Sequence, residues 1–240
     1  MKRMGKLTEK LRACEKVDEV YKIIRNLSYE YGFEFSAFVQ VSGTPNRHAL
    51  TIDHRGMINY PDAWIESYER GEFHRNDPII QRSRLHEEPF LWSQINGSVD
   101  MTQDERRMMA AAHETGLKEG LTIPFRGRTG KLSVMCYVTP RDFKVTDSQF
   151  NELHALSSMC FMRIDRLLND EQRVSELSKR QIECLYWTAM GKSSREISEL
   201  LDLKENTVTY HIKVAMARLE TNNRTVAVLR CIAAGAFYID

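Results

Sequence analysis

The last quarter of the sequence, from Leu177 onward, reads as four short helical segments with no strand pattern. The first two segments begin with capping boxes, in which a serine stands three residues before a glutamine or a glutamate: Ser178 with Gln181, and Ser193 with Glu196. A polar stretch, "NDEQRVSELS", leads into them. We therefore predict an all-α domain of four helices over 177–240, preceded by a linker at 171–176.

The first two-thirds of the chain mix helical and strand patterns. Residues Leu7–Tyr31 read as one helical stretch, residues 33–43 alternate like a strand, and two further strand patterns flank a turn at Gly127–Gly130 as a hairpin. A long amphipathic helix begins near Asp147. We predict an α+β domain over 1–170, with a central antiparallel sheet and helices packed on it.

Composition limits the class of protein more than it identifies one. Of 240 residues 42% are hydrophobic, which is enough for one large or two small cores and too many for a disordered chain. The formal net charge is +1, so no global basic field indicates a nucleic-acid partner. From Ser178 to Asp240 nine Lys or Arg stand against seven Asp or Glu, a difference too small to argue from. Charge alone therefore does not decide for or against DNA binding.

The five cysteines show no redox or zinc-binding spacing. Their neighbours are apolar, which favours buried free thiols in a reducing compartment, at Cys14, Cys136, Cys160, Cys184 and Cys231. No apolar run reaches the length of a membrane span, and the basic N-terminus lacks the apolar core of a signal peptide. We expect a cytoplasmic protein with no metal, no cofactor and no membrane partner.

The second and third C-terminal segments have the spacing of a helix-turn-helix unit. Ser194–Leu201 is its first helix and "DLK" its turn, and the next helix turns four apolar residues inward: Val208, Ile212, Ala215 and Leu219. A row of polar residues lies on the outer side of this helix near its N-terminal end, which is the part of a recognition helix that enters the major groove. Its members are Lys204, Glu205, Asn206, Thr209, Tyr210 and Lys213. Arg195 and Arg224 are placed to neutralise flanking phosphates. From this row alone, a solvated helical face is an equally good interpretation.

The same stretch resembles the LuxR-type helix-turn-helix. The match covers about fifty residues with almost no gap, through "WTAMGKS" ending at Ser193, "EI" at 196–197, "TVTYH" ending at His211 and "NRTVA" beginning at Asn223. At one position the chain departs from the family, which commonly carries glutamate where this chain has Gln181. Glutamine still closes the capping box, so folding is expected to survive, whereas contacts that need a negative charge there are in question.

A second stretch, "NYPDAWIESYERGEFHRNDP", concentrates aromatic residues before an Asp-Pro pair. Trp64 and Tyr68 share one helical face, Tyr60 precedes them, Asp77 follows, and Trp92 comes later. From spacing alone, the simpler interpretation is a packed core with Asp77 as a helix cap. The other is a cavity with aromatic walls and one buried carboxylate, which suits a small amphiphilic ligand.

The pattern Y-P-x-x-W-x-x-x-Y, then D-P, then Trp and Gly, resembles the autoinducer-binding domain of LuxR-type quorum-sensing receptors. It is carried here by Tyr60, Trp64, Tyr68, Asp77, Pro78, Trp92 and Gly120. Together with the C-terminal match, the resemblance covers nearly the whole chain. It implies an α-β-α sandwich that binds an N-acyl-homoserine lactone as its small-molecule effector.

Carried over by position, the resemblance gives each polar ligand atom one partner. Trp64 is expected to donate to the lactone carbonyl, Asp77 to accept from the amide N–H, and Tyr60 to hydrogen-bond the amide carbonyl. Cys136 stands near a position where relatives often have serine or threonine, and its thiol is a weaker donor. Candidates for the walls are Tyr68 and Trp92 and, around the acyl chain, Val39, Ile79, Met108, Met109, Ala112, Leu117, Thr122 and Val134.

The helix that begins near Asp147 carries a continuous apolar stripe: Phe150, Leu153, Leu156, Cys160, Ile164 and Leu167. The stripe fits packing on the domain's own sheet, and it also fits a homodimer, because the family dimerises through this region and the last helix. A dimer implies a pseudo-palindromic DNA site with half-sites roughly 10 base pairs apart. The predicted function is a ligand-controlled transcription regulator, expected to activate, with RNA polymerase as a further candidate partner.

Three other classes of protein fit the sequence less well. A lactonase or esterase needs a nucleophile with a base or a metal cluster, and the sequence has no G-x-S-x-G, no H-x-H-x-D and only scattered histidines. A phosphorelay response regulator shares the helix-turn-helix, but its receiver domain needs a parallel βα series that is missing here. An interaction protein without a ligand leaves Asp77 unexplained. The sequence therefore predicts a receptor and not an enzyme.

Overall fold

The computed structural model describes residues 2–44, 47–49, 59–95, 101–127, 131–141, 144–168 and 174–239. The chain divides into two compact units, Met1–Asp165 and Arg166–Asp240. Residues 171–173 of the linker predicted at 171–176 lie outside the described residues, and so does the centre of the predicted hairpin turn, 128–130.

The first unit combines helices with one antiparallel sheet. Its helices are α1 (Lys2–Ala13), α2 (Val17–Glu30), α3 (Asp62–Arg70), α4 (Pro78–Leu85), α5 (Gln103–Glu114) and α6 (Asp147–Leu168). Its strands are β1 (Phe35–Thr44), β2 (Arg47–Ala49), β3 (Phe90–Leu91), β4 (Glu119–Arg126) and β5 (Leu132–Thr139). The strand order is β2-β1-β5-β4-β3, and every neighbouring pair is antiparallel. The predicted α+β class with an antiparallel sheet is confirmed.

The helical stretch predicted over Leu7–Tyr31 is two helices rather than one. The Glu19 side chain accepts hydrogen bonds from the backbone N–H groups of Glu15, at 2.7 Å, and Lys16, at 3.1 Å. Backbone donors at a helix start are satisfied in this way by a glutamate at the third helical position. The sequence pattern is continuous through the break because both helices bury an apolar side.

The two faces of the sheet have different neighbours. On one face α6 packs through the Tyr137 hydroxyl, 2.7 Å from Ser157 Oγ, and through the Phe125 and Phe161 rings, whose centroids are 4.6 Å apart. The central members of the apolar stripe are buried in this contact: Leu153, Leu156, Cys160 and Ile164. The stripe therefore packs on the domain's own sheet. Successive residues of a strand point to opposite faces of the sheet, so every second residue of β1 and β5 faces away from α6.

The second unit contains the four predicted helices, α7 (Lys179–Ala189), α8 (Ser194–Leu201), α9 (Glu205–Arg218) and α10 (Arg224–Ala233). Both predicted capping boxes form, since Ser178 and Ser193 accept from the residue three positions on and their backbone N–H groups are bound in return. Asp202 ends α8 in the left-handed conformation, with φ 52°, and so makes the sharp turn into α9. The predicted inner face of α9 is buried: Val208, Ile212, Ala215 and Leu219.

Three features of the part of the chain that the structure describes bear on the sequence analysis. All five cysteines are free and buried, as predicted. Within the described residues, no helix is both long enough and apolar enough to cross a membrane. The same residues contain no group of three or more His, Cys, Asp or Glu side chains arranged to hold a metal ion.

Candidate functional site

A cavity lies between the face of the sheet opposite α6 and the helices α3, α4 and α5. Its volume is about 690 Å³, including the mouth that opens to solvent. Two cross-strand pairs on β1 and β5 form part of its wall, Ala37 with Cys136 and Val39 with Val134. The remaining lining residues are Tyr60, Trp64, Ile65, Tyr68, Glu69, Asp77, Ile79, Ile80, Trp92 and Met108. The cavity is thus mostly apolar with a few polar groups, the usual composition of a small-molecule site.

Asp77 serves at once as a helix cap and as part of this wall. Its Oδ1 accepts from the backbone N–H groups of Ile79, at 2.8 Å, and Ile80, at 3.2 Å, and so begins α4. Its Oδ2 accepts from the Tyr68 hydroxyl at 2.9 Å. Asp77 is therefore a helix cap, as the simpler interpretation has it, and its carboxylate also lies in the wall of a cavity. Because three protein donors satisfy the carboxylate, its burial does not by itself require a ligand.

The pKa values of the polar lining groups reflect this enclosed position. Burial raises the pKa of Asp77 above its ordinary 3.8, and its hydrogen bonds from Tyr68, Ile80 and Ile79 offset part of the rise. Burial, followed by the effect of Asp77, raises the pKa of Tyr68 well above its ordinary 10.0. Burial likewise raises the pKa of Cys136 to about 12. At neutral pH this thiol is therefore protonated.

The Trp64 indole is held by other aromatic rings. It stacks on Phe73 with centroids 6.2 Å apart and 15° between the planes, and it meets the Tyr68 ring edge-on at 5.4 Å. Gly71 makes room for Phe73, because a Cβ at position 71 would lie 2.6 Å from that ring. Among the described residues, the Trp64 indole N–H has no hydrogen-bond partner. This donor is therefore available to a molecule in the cavity that Trp64 lines.

Trp92 is fixed in a different way. Its indole N–H donates to Thr122 Oγ1 at 2.9 Å, and Thr122 Oγ1 is 3.4 Å from Cys136 Sγ. A Cβ at Gly120 would lie 2.5 Å from the Trp92 ring, so the indole lies directly on the β4 backbone. This contact gives a physical reason for the glycine in the sequence pattern. The hydrogen bond to Thr122 occupies the Trp92 indole N–H, so this donor is not available to a molecule in the cavity.

Most of the predicted ligand-site residues come together around this cavity. Ten of the fourteen that the sequence proposed as ligand contacts or wall residues line it: Tyr60, Trp64, Asp77, Tyr68, Trp92, Cys136, Val39, Ile79, Met108 and Val134. Met109, Ala112, Leu117 and Thr122 are buried but are absent from the lining. The reason is clear for Thr122, whose hydroxyl is covered by Trp92 and Cys136.

Four lining residues were not among the predicted site residues: Ala37, Ile65, Glu69 and Ile80. Ala37 stands two residues before Val39, so strand alternation would have placed it on the same face. Ile65 and Glu69 directly follow Trp64 and Tyr68 on α3. The helical spacing of Trp64 and Tyr68 did not indicate that the residue after each of them also lines the cavity.

The predicted DNA-binding row lies on the outer face of α9. Lys204, Asn206 and Lys213 are exposed, Thr209 is partly exposed, and Tyr210 keeps 63% of its surface in solvent. Lys204 and Lys213 make no ion pair with any residue that the structure describes. Both charges are therefore exposed, without an ion pair among the described residues, on the face that follows the turn of the helix-turn-helix.

The two arginines predicted to neutralise phosphates occupy different environments. Arg195 is on the exposed surface of α8, where it pairs with Glu199 at 3.6 Å, and such a pair contributes little to stability. Arg224 is half-buried: its guanidinium donates to Thr188 Oγ1, at 3.1 and 2.6 Å, and to the Lys192 carbonyl, at 3.3 Å. Arg224 thus ties the start of α10 to α7 and to the turn before α8.

A mostly apolar small-molecule cavity in one unit and a helix-turn-helix in the other define a ligand-responsive transcription regulator. Residues 16–167 match the family described as "Autoinducer binding domain", and residues 175–231 match the family described as "Bacterial regulatory proteins, luxR family". The chain belongs to the LuxR family of quorum-sensing transcriptional regulators.

Individual relatives agree with this assignment. The chain is 30% identical over 237 residues to the HTH-type transcriptional regulator y4qH of Sinorhizobium fredii, covering 97% of this chain and 72% of that protein. It is 28% identical to the transcriptional activator protein AnoR of Acinetobacter nosocomialis, covering 91% and 92%. Among solved structures, SdiA in complex with octanoyl-rac-glycerol has a TM-score of 0.69 at 22% identity, covering 98% of this chain and 96% of that one. This last likeness concerns the fold alone.

Proposed function

We propose that the chain binds an N-acyl-homoserine lactone in the cavity of its first unit and, as a homodimer, controls transcription from a pseudo-palindromic DNA site. The observation that carries the proposal is that three groups line one apolar cavity: the Trp64 N–H, which has no partner among the described residues, the Asp77 carboxylate and the Tyr60 hydroxyl. The indole N–H can only donate a hydrogen bond, the carboxylate can only accept one, and the tyrosine hydroxyl can donate or accept.

An acyl-homoserine lactone presents groups that complement this set. Its ring carbonyl accepts from Trp64, its amide N–H donates to the Asp77 carboxylate, and its amide carbonyl accepts from Tyr60. Each polar ligand atom then has one partner in a site with little water, which avoids the cost of a buried unpaired group. The acyl chain lies against the apolar wall, where Met108 supplies an adaptable contact. The amide N–H is the feature that favours a lactone over an acylglycerol.

The same geometry supports a receptor rather than an enzyme. Hydrolysis of the lactone needs an activated nucleophile. The only thiol in the lining, Cys136, has a pKa raised to about 12 by burial. Asp77 accepts hydrogen bonds on both oxygens from its own domain, which holds it as an acceptor, and its remaining lone pair suits the ligand N–H. We therefore assign no catalytic residue, no cofactor and no metal.

Binding of the ligand stabilises the first unit by mass action, and we propose that dimerisation and DNA binding follow from it. Exposed apolar side chains suited to a dimer contact occur on α6, at Met162 and Leu168, and on α10, at Leu229. Two copies of α9 then read half-sites roughly 10 base pairs apart. We propose activation through contact with RNA polymerase, and AnoR, the relative named above, is itself described as an activator.

The decisive experiment expresses the full chain with and without a panel of acyl-homoserine lactones of different acyl length. Soluble yield and Tm are measured, and bound small molecules are extracted for mass spectrometry. A lactone recovered together with a rise in Tm supports the proposal and fixes the acyl length. Octanoylglycerol belongs in the panel as the amphiphile that lacks an amide. A protein that is indifferent to every lactone, or that retains only octanoylglycerol, overturns the assignment of the ligand.

A further inference from the structure

Three buried side chains at the cavity wall form a continuous polar contact. The Trp92 indole N–H donates to Thr122 Oγ1 at 2.9 Å, and Thr122 Oγ1 lies 3.4 Å from Cys136 Sγ. Thr122 and Cys136 are directly paired across β4 and β5. Cys136 lines the cavity, and Thr122 does not. A residue outside the site therefore touches a side chain that faces the ligand.

The direction of hydrogen bonding along this contact is fixed at one end. An indole N–H is only ever a donor, so Thr122 Oγ1 must accept from Trp92. The Thr122 hydroxyl proton then needs an acceptor of its own. Among the described residues, Cys136 Sγ is the only acceptor available to it. If the thiol donated instead, the Thr122 proton would remain buried and unpaired, the costlier arrangement. The hydroxyl therefore donates to the sulfur.

The packing of Trp92 holds this direction in place. Because Gly120 has no side chain, the indole lies on the β4 backbone, where a Cβ would come within 2.8 Å of the indole nitrogen. The register of the neighbouring strand pairs Phe90 with Thr122, which brings the chain just before Trp92 beside its acceptor. The indole is only 3% exposed. The donor is thus positioned by backbone and packing together.

We propose that Thr122, fixed by Trp92, is a positioning residue for the ligand, because it turns the Cys136 S–H toward the cavity. The thiol sulfur accepts from Thr122, so its own proton points away from β4. Of the groups that line the cavity, the Tyr60 hydroxyl, through a hydrogen bond, and the Asp77 carboxylate both affect the pKa of Cys136, and a bound molecule would join them there. Cys136 then meets a ligand as a hydrogen-bond donor and selects an oxygen acceptor, such as an amide carbonyl, at that point.

This inference rests on the proposed function only for the identity of the ligand. The orientation of the thiol is a property of the protein without ligand, so it can be tested separately. Two substitutions separate the roles of shape and hydroxyl. Thr122→Val keeps the shape and removes the hydroxyl, whereas Thr122→Ser keeps the hydroxyl. Ser157→Ala is the matched control, since it removes a buried, hydrogen-bonded hydroxyl on the opposite face of the sheet.

The first measurement is the infrared S–H stretching band of Cys136 in the full chain without lactone. The band is identified by subtracting the spectrum of Cys136→Ala from that of the wild type. We expect Thr122→Val to shift it, because the sulfur loses the hydrogen bond that it accepts, and Thr122→Ser and Ser157→Ala to leave it in place. If the valine variant does not fold, Thr122→Ala takes its place. A band that is unchanged when the hydroxyl is lost overturns the proposal.

The second measurement is a double-mutant cycle on lactone affinity, made with the homoserine lactone that the wild type retains. We expect Thr122→Val to raise Kd roughly three- to tenfold, the value of one net hydrogen bond. In the Cys136→Ala background the same substitution should have no further effect, because the group that it positions is gone. Effects that simply add in the double variant overturn the positioning role. If the wild type binds no lactone, the proposed function fails, and the infrared comparison alone decides the orientation of the thiol.

Discussion

The Tyr68 hydroxyl donates to Asp77 Oδ2 at 2.9 Å while Asp77 Oδ1 holds the first turn of α4. One carboxylate thus joins the wall of the cavity to the backbone of the helix beside it. Removal of the side chain affects folding and binding together. A substitution that separates the two is therefore more informative than alanine.

Asp77→Asn is expected to preserve the fold and impair the response to ligand. Asparagine keeps an oxygen for the N–H groups of α4, but its NH₂ group replaces the acceptor proposed for the ligand amide. We expect loss of the ligand-induced rise in Tm without loss of the folded protein. Asp77→Ala, in contrast, should also cost about 1 kcal/mol of stability through loss of the helix cap. An asparagine variant with full lactone affinity would remove Asp77 from the proposed site.

The same substitution has a pH signature. Because burial raises the pKa of Asp77, the folded protein binds this proton more tightly than the unfolded chain. The contribution of Asp77 to stability is therefore highest in acid and falls as pH rises from the unfolded pKa, near 4, to the folded one. Asp77→Asn does not titrate, so its Tm relative to the wild type should improve from about pH 4 toward neutrality. Thermal melts over that range without ligand make the test. A relative Tm that worsens as pH rises would mean that the three donors outweigh burial.

Gly120→Ala should displace Trp92. The new Cβ would lie 2.5 Å from the indole, too close to be accommodated without movement of the ring or strand. We expect a loss of about 1–3 kcal/mol in the free energy of unfolding, as for other overpacked cores. Denaturant unfolding measures this loss, and a change in tryptophan fluorescence reports the ring. Gly5→Ala is the control, because that glycine has open space around it in α1. An unperturbed Gly120→Ala variant would contradict the close packing.

The sequence predicted the main elements because their signals are local. The capping boxes at Ser178 and Ser193 predicted the starts of α7 and α8, and the aromatic motif led to most of the cavity lining. The sequence left Asp77 open between a helix cap and a ligand contact, and Asp77 does cap an eight-residue helix, α4, whose bounds were not predicted. The sequence did not predict β3, because two residues are too short to show strand alternation. The contact between Thr122 and Cys136 depends on strand register, which no single segment encodes.

Lys213→Ala should weaken DNA binding in proportion to the loss of one phosphate contact. Lys213 is exposed on the outer face of α9 and has no ion pair with a described residue. A lysine that touches phosphate contributes about 0.9 to the slope of log K against log salt concentration. We expect that slope to become shallower by this amount in titrations of the liganded full chain with its DNA site. Lys22→Ala, an exposed position in the first unit, should leave it unchanged. An unaltered slope in the Lys213 variant would place this side chain away from the backbone of the DNA.

Arg224 should behave in the opposite way, although the sequence grouped it with the DNA contacts. Its guanidinium is engaged with Thr188 and with the Lys192 carbonyl. Arg224→Met therefore leaves Thr188 and Lys192 without these donors and is expected to lower the Tm of the second unit. The salt slope of the protein that remains folded should match the wild type. A slope reduced by about 0.9 would instead show a direct phosphate contact.

Gln181→Glu tests the one position where the helix-turn-helix departs from its family pattern. Gln181 Oε1 accepts from the Ser178 backbone N–H at 2.9 Å and from Arg218 Nη1 at 3.2 Å, and the residue is 5% exposed. A glutamate would keep both hydrogen bonds, give them charge assistance and lie at the positive N-terminus of α7.

We expect these gains to exceed the desolvation of the carboxylate and to stabilise the second unit by about 0.5–1 kcal/mol. Thermal melts at low and high salt make the measurement, and the gain should shrink with salt. Glu183→Gln, on the exposed side of the same helix, is the control for a change of charge alone. If Gln181→Glu lowers the Tm at every salt concentration, desolvation outweighs the new charge interactions. In that case the neutral side chain is the better partner for Arg218 in this chain.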